Sequence, residues 1–147
     1  MELDLNKRFQ TMLVLWFGLS MSMVMFFVFS LVVPPRIISD PNSPPSSLLM
    51  FALTGVGTFL VVISFAVKNK LLERSVEKQD MVLVQQALVI ACALCEASAL
   101  LGLIEYFLVG NREYYLLFLI SAGGMALHFP RRTQLEAASY KSRDLLK

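Results

Sequence analysis

Charge is what this chain has least of. Only 16% of its 147 residues are charged while 56% are hydrophobic; a soluble domain is nearer a quarter charged. The charges it has are also segregated, which argues for lipid around one compact membrane domain rather than for a large soluble core. A net charge of +2 is too small to point to nucleic acid as a partner. Two cysteines make no disulfide framework. There is no N-x-Ser/Thr sequon, because Asn42-Ser43 is followed by Pro44. Phosphate loops, dinucleotide fingerprints, hydrolase elbows and zincin motifs are missing, and no soluble segment is long enough to carry one. The expectation is a protein without catalytic residues, metal or cofactor.

What is present is four apolar runs, at residues 9–33, 48–67, 83–109 and 114–130. A spanning helix needs about 20 apolar residues, each rising about 1.5 Å. The first three runs meet that. The fourth is short, and Tyr114 and Tyr115 extend it by standing at the interface. The first run follows Lys7 and Arg8, as a signal peptide would, but it is too long and ends Val32-Val33-Pro34-Pro35 with no small-x-small site. It reads as a retained span.

Orientation follows from the basic residues in short loops. Lys7 and Arg8 precede the first run, and Lys68, Lys70, Arg74 and Lys78 separate the second from the third. Arg131, Arg132, Lys141, Arg143 and Lys147 follow the fourth. The other two loops hold only Arg36 and Arg112. Both termini and the middle loop are therefore expected inside, as in a multi-pass protein of a bacterial inner membrane. Short connections make neighbours antiparallel, so the expected fold is an all-α, up-down-up-down bundle of four transmembrane helices in a single domain, 1–147.

The connections carry their own signals. Residues 34–47 hold five of the six prolines and predict an extended, polyproline-like outer loop. Residues 68–80 contain neither Gly nor Pro, so the second and third helices should run on past the bilayer. Gly110 suits the residue after a helix end. In the tail, 131–147, charges alternate with Leu135, Ala138, Leu145 and Leu146; this pattern predicts a weak surface helix near anionic lipid.

Glu96 is the residue with most to explain. It stands at the midpoint of the third run, where a charge costs about 2.5–3.5 kcal/mol or more and from where a glutamate is too short to reach water. The neutral acid is the form such a site favours. Counting depth along each run puts Ser20, Ser22, Thr58 and Ser121 level with it. Two readings follow: a hydrogen-bonded polar layer of Glu96, Ser22, Thr58 and Ser121 that fixes helix register, or a group that binds or passes a proton or cation. Glu105, half a helical turn round and about 13 Å further outward, should reach the outer interface beside Tyr106 and Arg112.

Cys92 and Cys95 form a C-x-x-C, but thiols in apolar surroundings resist ionising. His128 should lie about 10 Å from Cys92 along the axis, at the inner interface beside Arg131 and Arg132. The cysteines therefore read as small apolar filler. Small residues predict close helix packing at Gly18 and Ser22, at Cys95, Ala99 and Gly102, and at Ser121 and Gly124.

The stretch from Gln86 to Ile104, with Leu94-Cys95-Glu96-Ala97-Ser98 and then Gly102, resembles the carboxylate-bearing helix of the ATP synthase proteolipid ring subunit. That resemblance implies that Glu96 carries an ion. The Arg-Asn/Gln-Pro loop signature of that family is missing here, and helix 2 offers only Gly55 and Gly57 of the glycine repeat. As a whole the chain looks like the small four-span membrane proteins common in bacteria. Two functional classes remain: a small subunit or assembly partner of a larger membrane complex, in contact with lipid and with other integral subunits or copies of itself, and a proton- or cation-handling element built on Glu96.

Overall fold

The computed structural model describes residues 2–35, 47–110 and 112–139. Among them all regular structure is helical: α1 (Glu2–Val32), α2 (Ser47–Lys78), α3 (Met81–Val109), a single 3-10 turn (Arg112–Tyr114), α4 (Tyr115–Leu127) and α5 (Arg132–Ser139). The proline-rich loop and the tail beyond Ser139 lie outside the described residues.

Three helices, α1, α2 and α3, are long and apolar enough to cross a membrane. Each is longer than the corresponding apolar run, because nothing in the flanking charged segments stops a helix. At 29 to 32 residues they exceed the about 20 needed to cross the hydrocarbon. α4 has only 13 residues, about 20 Å of helix.

Local chemistry sets the joints. α2 and α3 are separated by two residues, Gln79 at φ 51° and Asp80. The Asp80 carboxylate accepts from the backbone N–H of Val82 at 2.8 Å and so caps α3. At the other end Gly110 takes φ 67°, and its N–H donates to Tyr106 O, the left-handed cap for which glycine has no Cβ penalty.

α3 is the hub, packing against each of the other helices. Its buried stripe includes Cys92, Cys95, Ser98, Ala99, Gly102 and Glu105. Side-chain bonds tie the bundle together. The Trp16 indole donates to Met125 O at 2.9 Å, and Ser30 to the Tyr114 hydroxyl at 3.3 Å. Tyr106 donates to Val33 O at 3.2 Å.

Glycines decide how closely α2, α3 and α4 approach. A Cβ at Gly124 would lie 2.9 Å from both Cys95 Sγ and Val61 Cγ1; one at Gly57 would lie 2.8 Å from Leu117 Cδ2; one at Gly102 would lie 3.1 Å from Leu117 Cβ. Gly18 differs from expectation. Nothing lies within 4 Å of its Cβ position, so it makes no close helix contact within this chain.

The tail also departs from the sequence reading. α5 does not lie as a separate surface helix. It folds back across the end of the bundle onto α1, α2 and α3, with Leu135 and Ala138 fully buried. The two apolar residues three apart on one helix face have a better place than the lipid surface: the gap below the short α4. Leu145 and Leu146 lie outside the described residues.

Candidate functional site

Three polar positions interrupt the apolar bundle. The first is Glu96. Its carboxylate accepts a short hydrogen bond from Ser22 of α1, its one hydrogen-bond partner among the described residues, and the side chain remains partly exposed at the seam between α1 and α3. Thr58 and Ser121 do not join it. Ser121 is fully buried with no hydrogen-bond partner, as is Ser98. The four residues predicted as one layer thus separate: Glu96 with Ser22 on one face of α3, Ser121 in the core beyond. Equal depth does not bring residues together when they point to different neighbours.

The second position was not legible as a site. His128, read from sequence as an interfacial residue, is completely buried. Its Nε2 lies 2.7 Å from Ser64 Oγ, its ring lies 4.4 Å from that of Phe65, and its carbonyl accepts from Lys68 Nζ at 3.3 Å. Ser64 Oγ also reaches Cys95 Sγ at 3.7 Å. His128 and Cys95 are therefore neighbours across one hydroxyl, not far apart along the axis as expected. The cause is the shortness of α4, which ends level with Ser64, well inside α2 and α3; α5 then covers the end. Lys68 is buried with them at 7% exposure. Its ammonium sits at the C-terminus of α4, where the helix dipole favours a cation. Nδ1 of His128 has no hydrogen-bond partner.

The third position is Glu105. It does not reach the outer interface: it is 1% exposed and accepts from Thr54 Oγ1 of α2 at 3.3 Å. α2 and the 3-10 turn cover that end of α3. Glu96 and Glu105 face different helices, α1 and α2, as their half-turn offset requires.

No group of three or more His, Cys, Asp or Glu side chains able to hold a metal occurs among the described residues. Both cysteines are buried free thiols. Between α1 and α4 runs an apolar groove of about 330 Å³, bordered by Met23, Phe27, Tyr115, Phe118 and Ala122. Its walls offer van der Waals contact and almost no hydrogen bonding. No family model, no curated protein and no solved structure matches this chain.

Proposed function

We propose that this chain is a four-span integral membrane protein with both termini on the cytoplasmic side, as in a bacterial inner membrane, acting as a small non-catalytic subunit or assembly partner of a larger membrane complex. The side-chain pairings support the alternation of helix direction. Ser22 with Glu96 and Val33 with Tyr106 run α1 alongside α3; Trp16 with Met125 and Ser30 with Tyr114 run α4 against α1; Thr54 with Glu105 and Ser64 with Cys95 run α2 against α3. The 3-10 turn and α4 together cover about 24 Å, and Tyr114 and Tyr115 suit an interface. The basic residues fall at the ends this topology puts inside.

The observation that carries the subunit reading is the partly exposed Glu96 with a single hydrogen bond. Lipid tails offer a carboxyl nothing. A polar side chain from another integral subunit, or from a second copy, completes its hydrogen bonding. α1 agrees, since Val14, Phe17, Met25 and Leu31 stand 60% or more exposed.

Two measurements test this. Ser75 is buried and unsuitable for labelling, but cysteines placed at Ser43 and Glu77 in a Cys92→Ala, Cys95→Ala background should label from opposite sides of the membrane. Same-side labelling would overturn the four-span topology. In mild detergent, the native protein should have a mass well above the 16.5 kDa of one chain, and Glu96→Leu should release the monomer without loss of helix content. A wild-type monomer defeats the subunit reading.

One observation favours a second reading, a proton- or cation-binding role for Glu96: this residue is only partly buried at the seam between α1 and α3. Dicyclohexylcarbodiimide, which modifies protonated carboxyls in apolar surroundings, should then label Glu96 selectively in intact membranes. Faster labelling at lower pH and protection by a competing cation are the expected signs. No labelling before denaturation removes that role.

A further inference from the structure

We propose that the core between α2, α3 and α4 conducts protons between His128 and Glu105 through a file of hydroxyls that excludes Glu96, with Leu117 as its barrier. This goes beyond the subunit reading and does not depend on it.

The polar groups of this core follow one another along the buried face of α3. At the inner end His128 Nε2 is 2.7 Å from Ser64 Oγ. Ser98 and Ser121 come next. Cys95 faces Gly124, and Gly102 faces Leu117; with α3 and α4 antiparallel, Ser98 and Ser121 fall at one level between those pairs. At the outer end is Glu105, in contact with Thr54. On α3 the steps from Cys95 to Ser98, Gly102 and Glu105 are three, four and three residues, the spacing of a single helix face. His128, Ser64, Cys95, Ser98, Ser121, Leu117 and Glu105 are at most 1% exposed.

Three atoms of the file, His128 Nδ1, Ser98 Oγ and Ser121 Oγ, are buried without a hydrogen-bond partner. A core built only for packing would carry alanine at 98 and 121 and no carboxyl at 105, since unpaired buried polar groups destabilise the fold. Ionisable residues inside a helical membrane bundle mark proton and ion paths, and hydroxyls with free valence are what bridging water needs.

The step balances with water as the co-reactant. A proton arrives at Nδ1 of His128 while Nε2 gives its own to Ser64 Oγ. Each hydroxyl or water takes one proton and passes one on, so none is left charged. The Glu105 carboxylate takes the last, becomes the neutral acid and releases a proton outward. The imidazole regains its first tautomer when the ring turns. Between the serines and Glu105 the side chain of Leu117 fills the space left by Gly57 and Gly102. An apolar plug of this kind closes a file by excluding water. The two glycines put no side chain in the way when Leu117 changes rotamer.

Liposomes containing the purified full-length chain, an internal pH dye and a valinomycin-driven potassium potential provide the test. Leu117→Ala should raise proton uptake at least tenfold over wild type. Adding Glu105→Gln, or Ser98→Ala with Ser121→Ala, should return it to the rate of protein-free liposomes, whereas adding Glu96→Gln should leave it unchanged. The serine replacements lose only unpaired hydroxyls and should leave thermal stability unimpaired, which separates conduction from folding. Uptake by Leu117→Ala equal to that of protein-free liposomes overturns the proposal, and so does uptake that survives Glu105→Gln. Should Leu117→Ala not fold, the milder Leu117→Val takes its place in the same comparisons; uptake equal to that of protein-free liposomes, or uptake that survives Glu105→Gln, overturns the proposal.

Discussion

Gly124→Leu should leave little folded protein. A first carbon at this position already meets Cys95 Sγ on α3 and Val61 Cγ1 on α2, each at 2.9 Å. Both neighbours are short and buried, and neither can swing clear. Leucine adds three further carbons to the same wedge, so α4 must leave the groove, taking with it Met125 O, the acceptor of the Trp16 indole. The graded version is Gly124→Ala. Overpacking of this kind costs about 1–3 kcal/mol, and the helix propensity gained by losing a glycine returns about 0.5–1 kcal/mol. The balance is a net loss. Thermal unfolding in detergent should show a fall of several degrees for alanine and no cooperative transition for leucine. A Gly124→Leu protein that unfolds at the wild-type temperature would mean that α4 does not sit between Cys95 and Val61.

Glu96→Lys should fail at insertion, whereas Glu96→Gln should insert and fold. Glutamine keeps the length of the side chain and an oxygen able to accept from Ser22. Lysine brings a cation to the centre of α3, at about 2.5–3.5 kcal/mol or more, and Ser22 is a single hydroxyl to meet it. A mid-span cation is also a donor-only group, so the present bond from Ser22 is lost. Protease protection of the chain synthesised into membranes reads the outcome directly: a protected α3 for wild type and Gln, a cleaved or misoriented one for Lys. If Gln blocked insertion, the ionised carboxylate rather than its shape would be what α3 requires.

Depth along a helix was legible in the sequence because it is a count: about 1.5 Å per residue set Ser22 opposite Glu96. Rotation was half legible. The offset between Glu96 and Glu105 could be computed, but not which helix each would face, and so Thr58 and Ser121 were grouped with a carboxyl they do not touch. His128 and Glu105 were misplaced for a different reason. Both were positioned by distance from the end of an apolar run, as if the bundle stopped where the hydrocarbon does. α2 and α3 run on past the ends of their apolar runs, and α5 and the 3-10 turn pack against the two ends of the bundle, so Glu105 and His128 are covered by protein. The glycines gave the same mixed result: Gly102 and Gly124 separate helices as small residues should, Gly57 does so unannounced, and Gly18 faces outward. The cap at Gly110 was readable because it is local.

α5 has a consequence in the timing of biosynthesis. Its residues are made after those of α1 to α4. Until it folds back, Leu135 and Ala138 are not in place, and the parts of α1, α2 and α3 that it packs against stay uncovered. The nascent bundle therefore displays an incompletely packed end that disappears when the tail folds back. A protease or chaperone that meets this end can distinguish finished from unfinished copies by it alone. A chain terminated before Leu135 would carry the mark of immaturity for as long as it survives.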